Sequence, residues 1–148
     1  MKYTVEVTKE HTSWYKEGTD ILHREDGPAV ECADGSKAWY QNDKLHRLDG
    51  PAADPTDGDK RWYQNGHLHR EGGPAIEYAS GNKAWYQNDL LHREDGPAVE
   101  YFSGNTSYYL RGVNYSEKDF LIKIKSLPFT GKIVEIDGRK FRLTEVND

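Results

Sequence analysis

Apolar and polar residues alternate along short stretches of this chain, as in Lys37-Ala-Trp-Tyr-Gln41 and Ala98-Val-Glu-Tyr-Phe102. Alternation of period two is the mark of a half-buried strand. Turn dipeptides separate the stretches. One set is Asp34-Gly35, Asp57-Gly58, Ser80-Gly81 and Ser103-Gly104; the other is Asn42-Asp43, Asn65-Gly66, Asn88-Asp89 and Arg111-Gly112. Asn-Gly and Asp-Gly favour the positive φ of tight hairpin loops. The pattern predicts a run of antiparallel hairpins in which Trp39 and Tyr40 point to opposite faces.

The pattern is also periodic. His23, His46, His69 and His92 are spaced by 23 residues, and each is followed by an arginine: Arg24, Arg47, Arg70 and Arg93. Gly-Pro-Ala then begins at Gly27, Gly50, Gly73 and Gly96. Trp39, Trp62 and Trp85 keep the same step, with Tyr108 in the next slot and a tyrosine after each. Trp14 opens a first copy that carries a two-residue insertion at Gly18-Thr19-Asp20, and Tyr115 takes the histidine slot of the last. Atypical end units are expected of a repeat array. Proline cannot donate to a strand ladder, so Pro28, Pro51, Pro74 and Pro97 mark a kink in each unit. The predicted fold is mostly β. It is a single-layer, twisted antiparallel meander of about four and a half hairpin repeats over residues 1–115.

The pattern changes at Ser116. Ser116-Glu-Lys-Asp119 resembles a capping box, and Phe120, Leu121, Ile124 and Leu127 follow helical spacing up to Pro128. Residues 132–143 then form a hairpin around Asp137-Gly138. Residues 116–148 are therefore predicted to be a helix plus hairpin that caps the open end of the meander.

Composition narrows the class. With 148 residues there is room for one core. Aliphatic residues are few, but 4 Trp and 10 Tyr supply buried area, so a thin, aromatic-rich core is expected. No apolar run is long enough for a transmembrane helix, and the N-terminus lacks the apolar stretch of a secretory signal. One cysteine, Cys32, suits a reducing cytoplasm. The net charge of −5 argues against nucleic acid as a partner.

The unit resembles the MORN repeat, which is also a 23-residue hairpin. Trp62-Tyr-Gln-Asn-Gly66, Leu68-His69, Gly73 and Asp57-Gly58 carry the likeness. The departure is His-Arg-x-Asp-Gly-Pro-Ala in place of the family's His-Gly-x-Gly stretch. That variant is similar to repeats of phage and bacterial proteins, some of them antitoxin-like. The resemblance spans about residues 13–115. It implies a repeat sheet with a binding or scaffolding role, and no enzyme activity.

Candidate chemistry lies in the rows. The tryptophans are expected to form the core stripe. A single-layer sheet cannot bury both faces, so part of the tyrosine row should be exposed and mark a recognition surface. Tyr40, Tyr63 and Tyr86, with Gln64 and Gln87, are the candidate protein-binding residues. Arg47, Arg70 and Arg93 are candidate anion ligands, on the face opposite the histidines, because planar guanidinium groups suit phosphate and carboxylate. Arg70 stands out, since Gly72 replaces the aspartate found as Asp26, Asp49 and Asp95 in the other units. His67 and His69 share a strand but have no Cys or carboxylate set to complete a metal site. No cofactor is expected. No nucleophile elbow or phosphate loop is present, and every prominent residue recurs, which argues against a catalytic centre. The expected function is non-enzymatic binding and inhibition of a host defence or toxin protein, in the host cytoplasm if phage-encoded. Two alternatives are sequestration of a nucleotide-like small molecule by the Arg and Tyr rows and self-association through edge strands such as Tyr3–Val7.

Overall fold

The computed structural model describes residues 2–127, 133–136 and 139–142. The chain is mostly β, as the alternation predicts. Strands β1 (Tyr3–Val7), β2 (His11–Lys16), β3 (Val30–Cys32) and β4 (Lys37–Ala38) begin a long antiparallel sheet. A short hairpin, β5 (Tyr40–Gln41) with β6 (Lys44–Leu45), then leaves it. The next unit returns to the sheet with β7 (Ala53–Asp54) and β8 (Lys60–Arg61) and leaves with the hairpin β9 (Tyr63–Gln64) and β10 (His67–Leu68). The third does the same with β11 (Ile76–Glu77), β12 (Lys83–Ala84), β13 (Tyr86–Gln87) and β14 (Leu90–Leu91). Strands β15 (Val99–Glu100), β16 (Thr106–Leu110) and β17 (Val113–Tyr115) close the array. The sheet has 11 strands and stays open, with β1 and β17 at its edges.

Each tryptophan is where the chain changes partner. The Trp39 N–H donates to the Ala52 carbonyl in the long sheet, while its own carbonyl accepts from the His46 N–H in the hairpin. Trp62 does the same with Ala75 and His69, and Trp85 with Ala98 and His92. The segment Lys37–Gln41 is therefore two short strands rather than the single strand its alternation suggests. At the C-terminal end β16 runs unbroken through Tyr108, pairing with β15 on one side and β17 on the other.

The hairpin turns have the predicted backbone. Asn42 and Asp43 have φ of 54° and 61°, Asn65 and Gly66 of 53° and 87°. Arg111, with φ of 49°, holds the same conformation without being Asn or Asp. Successive hairpins are joined as well as stacked. The Arg24, Arg47, Arg70 and Arg93 N–H groups donate to the carbonyls of Tyr40, Tyr63, Tyr86 and Tyr109 in the next unit.

The core differs from expectation in one respect. Ala29, Ala52, Ala75 and Ala98, the last residue of each Gly-Pro-Ala, are 0 % exposed. Of the tryptophans only Trp62 is fully in the core; Trp14, Trp39 and Trp85 are half-buried. The aromatic rows thus wall the core, and small side chains fill it. A thin array leaves little interior, so bulky rings cannot be covered on every side.

Ser116 caps helix α1 (Glu117–Lys125), its hydroxyl oxygen accepting from the Asp119 N–H. Acidic residues in the first turn and lysines in the last suit the helix dipole. Phe120 is buried and packs on Tyr108 with ring centroids 4.9 Å apart, so α1 covers the last repeat. Strands β18 (Ile133–Ile136) and β19 (Arg139–Arg142) pair antiparallel as predicted. Pro128 and the Asp137-Gly138 turn lie outside the described residues.

Candidate functional site

In each unit the arginine folds back over the tryptophan eight to ten residues before it. The guanidinium carbon lies 4.1 Å from the Trp14 ring centroid for Arg24 and 4.0 Å from Trp39 for Arg47. It lies 3.8 Å from Trp62 for Arg70 and 4.0 Å from Trp85 for Arg93. The other side of the group rests on the glycine of Gly-Pro-Ala. A Cβ on Gly50 would stand 2.7 Å from Arg47 Cζ, and one on Gly73 would stand 2.9 Å from Arg70 Cζ. Glycine is needed here for space. Nη1 of each arginine donates to the proline carbonyl two residues before the strand: Pro28, Pro51, Pro74 and Pro97. The arginine is thus a structural pin through its own repeat.

The remaining hydrogen bonds distinguish the units. Nε donates to Asp26 at 3.0 Å in the first, Asp49 at 2.8 Å in the second and Asp95 at 2.7 Å in the fourth. These arginines hold the Asp26 and Asp49 carboxyls below the usual range. Nη1 also reaches Glu31, Glu77 and Glu100 in units one, three and four. In unit two Asp54 occupies that slot. Arg24 and Arg93 therefore hold two carboxylates each. Arg70 has Glu77 but, with Gly72 at the aspartate position, no aspartate two residues on to meet its Nε. Its side chain is 30 % exposed, against 20–25 % for the other three.

The histidines tie each unit to the next. Nδ1 of His23, His46 and His92 accepts the N–H of Asn42, Asn65 and Arg111, at 3.2, 3.1 and 3.0 Å. The donors are the left-handed turn residues. An imidazole accepting at Nδ1 carries its proton on Nε2. Burial pushes the His92 pKa down, and Arg111 adds to that, while Glu94 opposes it. His23 and His92 have a glutamate oxygen 3.6 Å from Nε2, on Glu25 and Glu94. Leu48 stands at that position after His46.

The histidine and arginine rows were expected on opposite faces. Instead both border the same inter-repeat grooves. One groove of about 480 Å³ is lined by Trp39, Gln41, His46 and Arg47 with Arg24 and Asp26. The next, of about 450 Å³, is lined by Trp62, Gln64, His69 and Arg70 with Arg47 and Asp49. Leu48 is 75 % exposed and borders both. It is the residue that row-by-row reading misses. Its signal is present in the sequence, because Glu25, Glu71 and Glu94 fill the same slot elsewhere.

Tyr40, Tyr63 and Tyr86 are half-buried, so the expected exposure of this row is not found among them. Burial raises the Tyr40 and Tyr86 phenols, with Tyr63 beside the first and Tyr78 and Tyr109 beside the second adding smaller effects. Gln64 is half-buried in the groove face, and Gln87 is exposed. His67 and His69 are directed to different partners. His67 Nδ1 lies 2.5 Å from Asp89, whose carboxyl it holds below the usual range, and His69 faces Asn88 at 3.2 Å. Among the described residues no three His, Cys, Asp or Glu side chains gather as a metal-ligand set. Cys32 is a free, half-buried thiol. No helix among the described residues is long and apolar enough to cross a membrane.

No family model matches this chain, and neither curated proteins nor solved structures give a match.

Proposed function

We propose that this is a non-enzymatic binding protein that takes a protein partner against the grooved face of its repeats. The observation that carries this is Leu48. It is a highly exposed leucine between two grooves, in a slot where every other unit places a glutamate. Array stability does not call for it, since the other units stand without it. An apolar side chain with arginine, histidine and glutamine around it is the make-up of a recognition patch. Gln64 belongs to this face. Tyr40, Tyr63 and Tyr86 support it from within the hairpins. The resemblance to MORN-like repeats of the His-Arg-x-Asp-Gly-Pro-Ala type points the same way. It further suggests a bacterial host protein as partner, with the chain acting as an inhibitor of a defence component or toxin.

The test is affinity capture from bacterial lysate with the wild type and Leu48→Glu side by side, quantified by mass spectrometry. A host protein held in stoichiometric amount by the wild type and lost by Leu48→Glu supports the reading. Equal retention by both, or no retained protein, counts against it.

Sequestration of a nucleotide-like molecule by Arg47, Arg70 and Arg93 is the second reading. One face of each guanidinium is taken by tryptophan, and the tyrosines that would stack on a base are half-buried. A small mass carried through native mass spectrometry would favour it.

A further inference from the structure

We propose that the groove at Arg70 receives an aspartate or glutamate side chain of the protein partner. This rests on the binding reading above and names the chemistry that the partner presents. Three of the four arginines show what sits at Nε when a carboxylate is supplied in the chain: Asp26, Asp49 and Asp95 approach at 3.0, 2.8 and 2.7 Å. Unit three keeps the stack, the glycine and the proline contact of that arrangement, while its backbone at residue 72 takes a positive φ that Asp26, Asp49 and Asp95 do not. Arg70 stacks on Trp62, rests on Gly73 and donates to the Pro74 carbonyl as its three counterparts do, and donates to Glu77 as Arg24 and Arg93 do to Glu31 and Glu100. Only the aspartate is replaced, by Gly72. The guanidinium is therefore already oriented for the carboxylate that an aspartate at position 72 would provide.

The surroundings select among anions. Arg24 and Arg93 accommodate two carboxylates each, so one more monoanion beside Glu77 matches what this arginine does elsewhere. A phosphate dianion would add a second negative charge close to Glu77, with Glu71 and Asp49 also bordering the groove. Like charges at this range oppose binding. The Gln64 amide is in the same groove as a neutral donor. Leu48 on its rim suits an apolar neighbour of the incoming acid. Gly72 has φ of +75° and nothing within 4 Å of a Cβ placed on it, so there is open space at this residue.

The test follows the arginine Nε–H signals of the labelled full chain by NMR. N-acetyl-aspartate amide, N-acetyl-asparagine amide and inorganic phosphate are added in turn. The expected result is a saturable shift of the Arg70 Nε–H with the aspartate probe, none with the asparagine probe, and little change at Arg24, Arg47 and Arg93. Gly72→Asp should abolish the response, by supplying the carboxylate in the chain. Because a side chain at positive φ is strained, Asp95→Gly is the second variant; it should make Arg93 respond as Arg70 does. An Arg70 unaffected by the aspartate probe, or shifted equally by the asparagine probe, overturns the proposal. So does a response to phosphate alone, which would assign the groove to a phosphate ligand. The titration needs no partner. Its failure is therefore separate from failure of the capture experiment, which tests the binding reading itself.

Discussion

The Arg93 guanidinium lies over the Trp85 ring, 4.0 Å from its centroid, and donates from Nη1 to the Pro97 carbonyl at 3.2 Å. A strand kink, an aromatic row and a basic row are thereby one device. Proline removes a donor from the ladder, and its carbonyl is satisfied by the arginine of the same unit. Stacking of a partly desolvated arginine contributes about 1–2 kcal/mol, and a charged hydrogen bond about 1.5–3 kcal/mol. These overlap rather than add. Arg93→Gln is expected to lower stability by about 2–3 kcal/mol in urea unfolding. Arg93→Lys should recover only part, because an ammonium cannot stack and fork at once. A loss under about 0.5 kcal/mol for Arg93→Gln would remove the pin from the account.

The glycine under each arginine supplies a graded test. A Cβ would come within 2.7 Å of Arg47 Cζ at Gly50 and 3.1 Å of Arg93 Cζ at Gly96. Overpacking of this kind costs about 1–3 kcal/mol. Gly50→Ala should therefore destabilise more than Gly96→Ala, as read from urea midpoints. The reverse order would mean that backbone freedom, and not the guanidinium, sets the need for glycine.

Much of this was legible in the residues. The 23-residue spacing of His23, His46, His69 and His92 carries the array, and Asn42-Asp43 and Asn65-Gly66 carry the left-handed turns. Ser116 and Asp119 carry the helix start. The rest depends on direction in space, which alternation does not encode. Trp39 and Arg47 are eight positions apart and meet only because the intervening hairpin reverses the chain. For the same reason Arg47 shares a groove with His46 instead of facing away from it. Period two also could not show that Trp39 divides its hydrogen bonds between two partners. Arg70 is the instructive case: Gly72 reveals the missing aspartate, but Glu77, seven residues on, becomes a neighbour only after folding.

The His92 imidazole couples stability to pH. It accepts the Arg111 N–H at 3.0 Å only while Nδ1 is unprotonated, and burial holds its folded pKa below the ordinary 6.5. The unfolded chain then binds the proton more readily than the folded one. The contribution is complete above the unfolded value and is lost as pH falls through the folded one. Unfolding free energy should drop between about pH 7.5 and about pH 5.5 in the wild type, and less in His92→Gln. Parallel profiles for the two proteins would show that His92 is not the source.

Leu48 separates the demands of folding from those of recognition. It is 75 % exposed, so removing it uncovers no core. Leu48→Glu restores the residue that units one, three and four carry beside their histidines, where Glu25 and Glu94 lie 3.6 Å from Nε2. Surface changes of this type shift stability by no more than about 0.5 kcal/mol. The thermal midpoint should therefore stay within a few degrees of the wild type, or rise if the new glutamate engages His46. Partner capture, in contrast, should fall at least about tenfold, because a buried apolar anchor is worth about 1.5–3 kcal/mol and each 1.4 kcal/mol is a factor of ten. A variant that unfolds more readily and binds less would speak for a structural role of Leu48. One that keeps both stability and binding would move the recognition surface away from these grooves.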